Sequence, residues 1–541
     1  RSCQPAFQRL REHLRGYAPE RVAEITTIPA DAIRRLAVEF GETASIGSTI
    51  TLEGHTMPFR PVCAYPDTQG ATAHKYGLWA GTTIQMLNVV VGSVDVPGAC
   101  LSTNIVGPHG QMRVRPSADG IIATGAPELP SSDTPYPAHK VAPPQTVHLR
   151  ELFPTGHANA SVMLGLTLGP LARLLPYTPE VFIVNYTNTL MIGSNPAPVA
   201  EALARIPFMV FIGDKLHETA EFADVVLPIQ HSFERFDFPM NSLRGWVTGD
   251  QWYFTLRQPV AEPLPGPEHI VDILQELAQR LGVRDKLQIR LDAKLGLKEP
   301  YRLDPDTHYE VEEILDRYTR SMFGEDHGLE WFKQNGLVSF PRSLAERFPR
   351  ALVKLPRLPV YFEYLIDAGQ ELASMARELK LDLDLSGFAP LPFWGPCTAH
   401  VEPRKEYDLF AVNYKLAWQA FSTTQSNPWL EDVSSHHPYA YKVWLNTETA
   451  RHKGIGPGDA LVVESTAGTK VMAEARLSQC IHPEVVGIAS CFGHWAKGLP
   501  VARGKGPHFG TLVPFGLDHL DMVSCRIDSC ARVKVHKAPP G

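Results

Sequence analysis

Residues 180–188 read EVFIVNYTN, 208–214 read FMVFIGD and 223–228 read ADVVLP, and these three stretches decide the fold. Each opens or centres on an apolar run of strand length: Val181-Phe182-Ile183-Val184, Phe208-Met209-Val210-Phe211-Ile212 and Val225-Val226-Leu227-Pro228. None alternates apolar with polar residues, which is the pattern of a strand buried on both faces. Between them, 198–206 has helical composition and 218–222 fits one short helical turn. Strand–helix–strand–helix–strand at this spacing predicts a parallel sheet with helices on both faces, an α/β architecture. In such sheets ligands sit at the carboxyl ends of the strands, which here are Thr187-Asn188 and Gly213-Asp214.

Upstream, 1–100 also reads as α/β. Residues 1–16 form an amphipathic helix with Phe7, Leu10 and Leu14 on one face. Pro19-Glu20 opens a second helix through Ile25, and a third runs to Phe40 with Asp31 as its expected N-cap. A helix over 75–91 ends at Gly92 and the turn Asp95-Val96-Pro97-Gly98. The Pro-, Gly- and Ser-rich stretch 101–178 reads as a long connecting loop region. Downstream of a further helix over 268–282, residues 283–403 are mixed and partly Pro-rich. From Tyr407 the texture changes to short β-rich runs at 409–412, 442–445, 460–464, 470–475, 485–489 and 532–536, parted by turns such as Gly454-Ile455-Gly456-Pro457-Gly458-Asp459. That pattern predicts a C-terminal six-stranded β-barrel domain.

Composition narrows the functional classes. At about 150 residues per domain, 541 residues make roughly three or four units. The net charge of −7 supplies no basic face for nucleic acid, and no run approaches the roughly 18 apolar residues of a membrane span. Eight cysteines are scattered without a C-x-x-C, so neither a disulfide scaffold nor a zinc or iron–sulfur site made by this chain alone is expected. Cys3 reads as helix packing. There is no H-E-x-x-H, G-x-S-x-G or G-x-x-x-x-G-K-[ST], and Gly504-Lys505-Gly506 reads as a surface turn. The first residue is Arg1, and the chain reads as a piece of something longer or one processed at its start.

One string is familiar as a whole. Gly213-Asp214-Lys215-Leu216-His217-Glu218-Thr219-Ala220-Glu221-Phe222-Ala223-Asp224-Val225-Val226-Leu227-Pro228 resembles the D-x-x-x-x-E-T-A-x-x-A-D-V-V-L-P segment of the dimethyl sulfoxide reductase family, with the gap from Asp214 to Glu218 one residue shorter. Tyr17-Ala18-Pro19-Glu20 through Ile28-Pro29 is similar to that family's Y-T-P-E-x-x-A-E-I-T-x-I-P. Leu87-Asn88 through Gly92-Ser93-Val94-Asp95-Val96-Pro97-Gly98 resembles L-N-x-x-x-G-N-I-D-V-P-G, and Ala450 through Asp459 resembles A-x-x-x-G-I-x-x-G-D of its cofactor-binding barrel. The matches are collinear and run through most of the chain, with 283–403 least covered.

The resemblance implies an organisation: an α/β segment at 1–100, the connecting region 101–178, a second α/β cofactor-binding unit at 179–282, a family-specific extension at 283–403 and a molybdopterin dinucleotide-binding barrel at 404–541. It implies bis-molybdopterin guanine dinucleotide carrying molybdenum or tungsten. Four dithiolene sulfurs hold such a metal, so the polypeptide needs no metal-ligand cluster. Its task is to grip two anionic dinucleotides with strand-end amides, helix N-termini and hydroxyls. By position, Asn188 (with Thr189 in place of the usual Pro), Gly213, Asp214 and Thr219 fall on contacts to one nucleotide. Tyr414, Lys415, Ser422, Thr423, Thr424 and Gln425 fall on contacts to the second. His494, in Phe492-Gly493-His494-Trp495, is a candidate proton donor or pterin-tuning group, and Gly510-Thr511-Leu512 replaces an Asn-x-Leu. His74 and Gln69-Gly70 lie where relatives carry residues near the active-site funnel.

The implied function is a molybdopterin oxidoreductase catalytic subunit, performing two-electron oxygen-atom or hydride-equivalent transfer. Its Pro-rich extension and G-H-W stretch lean toward the arsenate, polysulfide, tetrathionate and phenylacetyl-CoA branch. The missing N-terminal portion would carry a 4Fe-4S cluster, and electrons would pass to an iron–sulfur subunit, with a membrane-anchor subunit as a further partner and no nucleic acid. The alternatives are a non-redox hydratase or transhydroxylase on the same scaffold and a cofactor-free structural subunit of a respiratory complex. The sequence leaves the compartment open.

Overall fold

A computed structural model describes residues 3–66, 70–101, 141–156, 163–237, 250–353, 358–401 and 405–539, with backbone alone at 115–116, 122–123, 162 and 246–248. Gln69 and most of 101–178 lie outside the described residues.

The chain opens with helices α1 (Ala6–Leu14), α2 (Pro19–Thr26) and α3 (Ala30–Thr43), followed by the hairpin β1 (Thr49–Leu52) and β2 (His55–Pro58). Pro19 sits at the first position of α2, where its missing N–H leaves no bond unmade. Three expectations need correcting here. Of the α1 stripe only Leu10 is buried, with Phe7 and Leu14 about half exposed. Pro29, not Asp31, caps α3; Asp31 lies in the first turn, pairs with Arg34 at 3.3 Å and complements the helix dipole. Cys3 is exposed ahead of α1 rather than packed on a helix. Helix α4 (Gly77–Val91) ends on Gly92 at φ +74°, a left-handed stop that glycine adopts without strain.

The central unit is the expected parallel sheet. Strands β3 (Val181–Asn185), β4 (Phe208–Gly213) and β5 (Val225–Pro228) pair in that order, both pairs parallel. Helix α5 (Pro196–Ala204) joins β3 to β4. The Asn195 side chain accepts from Ala197 N–H at its start. Val199, Ala202 and Leu203 of α5 pack with Val184, Met209 and Phe211 on one face. Across the sheet, Ile273 and Leu277 of α6 (Ile270–Arg280) pack with Ile212, Leu227 and Ile229. Both faces therefore carry a helix. The strands are nevertheless not buried throughout: Val181 and Ile183, on the edge strand, are 54% and 47% exposed. Helix α6 packs instead on Val210, Ile212 and Leu227 of β4 and β5.

A second, antiparallel sheet joins β6 (Gln251–Thr255) to a strand far downstream. Helix α7 (Val311–Phe323) precedes that strand, β7 (Leu337–Pro341), and residues 246–248 form the third strand. Trp252 and Phe254 pack there against Leu315 and Phe332. This sheet spans the boundary expected at 282.

The barrel consists of β8 (Leu409–Tyr414), β9 (Val443–Asn446), β10 (Ala460–Ser465), β11 (Lys470–Ser478), β12 (Val485–Ala489) and β13 (Ala531–Lys537). They close in the order β8-β12-β9-β11-β10-β13, with β8–β12 and β9–β11 parallel and the other pairs antiparallel. Every expected strand is present, most longer by one to three residues. Inward residues of all six strands, including Leu409, Val443, Leu461, Val471, Val486 and Val533, form one core.

Among the described residues no helix is long and apolar enough to cross a membrane.

Candidate functional site

Chain reversal at the carboxyl ends of β3 and β4 buries a carboxylate. Beyond β3, Asn188 is 2% exposed; beyond β4, Glu218 and Thr219 are fully buried. Thr219 Oγ1 donates to Asn188 Oδ1 at 3.0 Å and accepts from Leu190 N–H at 3.3 Å, so one hydroxyl ties the two strand ends together. Asn188 Nδ2 donates to Glu218 Oε2 at 2.8 Å. The remaining capacity of Glu218 is taken by the barrel side. His494 Nδ1 lies 2.9 and 3.1 Å from its two oxygens, and the backbone N–H groups of Trp495 and Ala496 reach Oε1 at 2.9 and 3.2 Å.

A buried carboxylate is tolerable only when its oxygens are filled, and Glu218 meets that condition. Burial pushes its pKa up; the His494 hydrogen bond and charge, with the Asn188 amide and backbone, more than reverse this and bring it down to about 2. An ionised carboxylate can only accept, so His494 Nδ1 carries the proton that points at it. His494 Nε2, at the other end of the ring, is buried and has no hydrogen-bond partner among the described residues.

The same seam is drawn tight where side chains are missing. A Cβ on Gly498 would stand 2.3 Å from Leu216 O, and one on Gly510 would stand 2.6 Å from Gly193 O. Gly510 O also accepts from Asn195 N–H at 2.7 Å. Glycine is required at both places because backbone lies against backbone. His508 closes the group: its Nε2–H donates to Met191 O at 3.1 Å and Nδ1 accepts from Thr511 Oγ1 at 3.0 Å. Burial lowers its pKa, consistent with a neutral ring holding one donor and one acceptor bond.

Gly213-Asp214 lies at the tip of β4. No helix begins at Asp214, so it is not a cap. The backbone there is open, while the carboxylate is turned in, 3.9 Å from His231 Nε2. Burial and, after it, the Asp214 charge raise the pKa of Tyr186 nearby. The next residue bridges to the barrel: Lys215 Nζ donates to Thr423 O at 2.9 Å. Thus the 414–425 segment is tied to the sheet tips. Within it, Tyr414 OH donates to Tyr439 O at 3.1 Å, and its pKa is pushed up to about 12, by burial first. Lys415 lies over the Phe421 ring. Ser422 is buried, and Thr423 is exposed. Thr424 Oγ1 donates to Gln419 Oε1 at 2.6 Å and accepts from Ala420 N–H at 2.8 Å; Gln425 Nε2 donates to Phe421 O at 3.1 Å.

The structure therefore gathers Asn188, Gly213, Asp214, Thr219, His494 and the 414–425 segment along one seam. His74 is not part of this group. It sits in the turn before α4, beside Cys397 and Asp528. Glu218 and His508 escape selection by sequence, although Glu218 stands inside the quoted string. An acidic residue shortly after a buried strand and amid apolar neighbours was the available signal.

Three comparisons bear on this arrangement. Residues 409–519 match the Molydopterin dinucleotide binding domain. The chain is 26% identical to a sulfite dehydrogenase subunit of Allochromatium vinosum, over 91% of this chain and 56% of that protein. It is 23% identical to the thiosulfate reductase molybdopterin-containing subunit PhsA of Salmonella typhimurium, over 94% of this chain and 60% of that protein. Among solved structures, acetylene hydratase from Pelobacter acetylenicus superposes with a TM-score of 0.59 at 18% identity, covering 98% of this chain and 66% of the other, and so shares the fold. The chain spans somewhat over half the length of the curated relatives it matches.

Proposed function

We propose that this chain, a member of the dimethyl sulfoxide reductase family of molybdopterin proteins, is the larger, C-terminal part of an oxidoreductase catalytic subunit. The observation that carries the reading is the seam itself, where a matched dinucleotide-binding barrel closes on the carboxyl ends of a parallel sheet through the buried Glu218. The fit to an organic cofactor rests on His494 Nε2, a buried polar atom held in a fixed direction and left without a partner.

In this reading the two sides of the seam hold one guanine dinucleotide each. On the sheet side, Gly213 offers backbone and Asp214 a carboxylate that accepts from the N–H edge of guanine. Asn188 and Thr219 act as positioning residues, since their side chains are spent on Glu218 and on each other. On the barrel side, Lys415 supplies a cation and Ser422 and Thr423 hydroxyls, while Tyr414, Thr424 and Gln425, bonded within the barrel, position the backbone of that segment. Glu218 fixes the His494 tautomer and aims Nε2 at the bound group, as a carboxylate does for an imidazole elsewhere. The bound molybdenum or tungsten cofactor supplies two-electron oxygen-atom or hydride-equivalent transfer. A 4Fe-4S cluster in a segment outside this sequence, an iron–sulfur subunit receiving its electrons and a membrane-anchor subunit complete the proposal. The relatives are themselves subunits by name, which supports the partner chains.

Elemental analysis for molybdenum and tungsten, with acid extraction of the pterin and its nucleotide, tests the reading on the native protein. Metal and guanylated pterin are expected, with nucleotide release reduced in Asp214→Ala. Protein devoid of both would overturn it. Cofactor present with hydration activity and no dye-linked redox activity would replace oxidation by the non-redox alternative.

A further inference from the structure

By sequence the cysteines are scattered, but the fold brings two of them together. Cys397 and Cys530, both buried, share a hydrogen bond although 133 positions apart. Cys397 immediately precedes the short helix Thr398–Val401, and His400, three residues on, presents Nδ1 3.0 Å from its Sγ. Asp528 and Cys530 lie two apart at the entry to β13, spacing that puts both on one side of an extended chain. His74 approaches from the turn before α4, closed by Gly77 N–H to His74 O at 2.8 Å.

One ligand atom each of His74, Cys397 and Asp528 lie within 4.8 Å of one another. Ligands about 2.0–2.3 Å from a tetrahedral zinc ion stand roughly 3.3–3.8 Å apart, so a closure of about 1 Å brings these three to ligand spacing. Nitrogen, sulfur and carboxylate oxygen together suit a borderline-soft divalent ion and not calcium or magnesium, which take oxygen alone. The surroundings are those of a prepared site. His74 Nδ1 is buried without a hydrogen-bond partner. The Asp528 carboxylate accepts from the backbone N–H groups of Lys75 and Thr398, which orient it. The ammonium of the adjoining Lys75 is turned away to Asp384 at 2.8 Å. A cavity of 760 Å³ lined by His74, Cys397, His400 and Cys530 gives an ion its way in.

We propose that His74, Cys397 and Asp528, with Cys530 as fourth ligand, form a zinc-class cation site that pins the last barrel strand to the helices at the start of the chain. Its role is structural: it ties three segments, near 74, 397 and 530, that share no strand pairing. The site lies apart from the Glu218 seam and does not rest on the molybdopterin reading.

The test uses the native protein stripped by a chelator, with Zn2+ and Co2+ as the probes. One Zn2+ per chain is expected by equilibrium dialysis with elemental analysis. Co2+ should give the intense visible absorption of a tetrahedral site plus a thiolate charge-transfer band. Cys397→Ser should cut that band by about half and weaken binding at least 100-fold; His400→Ala, which removes the hydrogen bond to the thiolate along with a ring contact to Phe410, should weaken it about 10- to 100-fold. The triple variant C3S/C63S/C480S, which removes the exposed thiols, should leave both readouts unchanged. Wild-type protein with native circular dichroism that takes up no Zn2+ and shows no Co2+ band overturns the proposal without any variant. So does equal uptake by a folded Cys397→Ser. Absence of molybdenum and pterin would instead touch only the functional reading.

Discussion

The parallel sheet and the barrel are built from similar short apolar strands, and they differ in how they dispose of their edges. In the barrel every strand has a neighbour on each side, and Leu409, Val443, Leu461, Val486 and Val533 are at most 2% exposed. Closure removes edges and lets side chains from all six strands fill one interior. Among the described residues the sheet has three strands and two edges, and on β3 alternate apolar residues face outward. Its stability therefore comes from what is laid against it: α5, α6 and the seam with the barrel. The barrel can hold itself together; the sheet's functional end depends on the barrel.

Breaking the seam should have the largest effect. Glu218→Ala leaves His494, Asn188 and two buried N–H groups without their acceptor, at a cost of about 4 kcal/mol. Hydrogen exchange should show 186–191 and 494–496 opening while β10 and β11 stay protected; equal loss in both would contradict a self-sufficient barrel. The same dependence should appear with pH. The Glu218 pKa is lowered from 4.5 to about 2 on folding, so its contribution is complete above pH 4.5 and is lost as pH falls through about 2. The amount is roughly 3 kcal/mol, and an acid titration of Glu218→Gln should lack that component. Leu461→Ala, a cavity in the closed core, should cost about 3 kcal/mol. It should lower the urea midpoint of the barrel strands and, with it, that of the sheet tips at 186–191, which the barrel holds. Gly498→Ala sets a Cβ against Leu216 O and Cβ. About 1–3 kcal/mol is expected, read as faster exchange at 216–219. Smallest is Ile183→Thr on the exposed side of β3, within about 0.5 kcal/mol in a thermal melt. A larger loss would mean that this face is covered in the native protein.

Much of this architecture is legible in the residues. Strands announce themselves where periodicity and turn glycines agree, as at 460–464 and 485–489, and the three parallel strands follow from apolar runs parted by helix-forming segments. Local competition defeats finer readings. At α3, Pro29 takes the capping position and displaces Asp31 into the first turn. Continuous apolarity in β3 is compatible with burial on both faces, yet α6 packs over β4 and β5 and leaves the outer face of β3 exposed. The site is legible only as a family string. Asn188, Asp214 and Thr219 are found that way, while the partner that organises them, His494 against Glu218, lies 276 residues away and is joined by packing alone. The Cys397–Cys530 pair escapes for the same reason, since ligand spacing in sequence records only sites built from neighbouring turns.

Strands β8 and β13 lie side by side, with Leu409 opposite Val533. The way into the barrel and the way out of it thus share a rim. A circular permutant that joins the two rim ends by a short linker and opens the β10–β11 hairpin at Gly468 needs no strand to change neighbours.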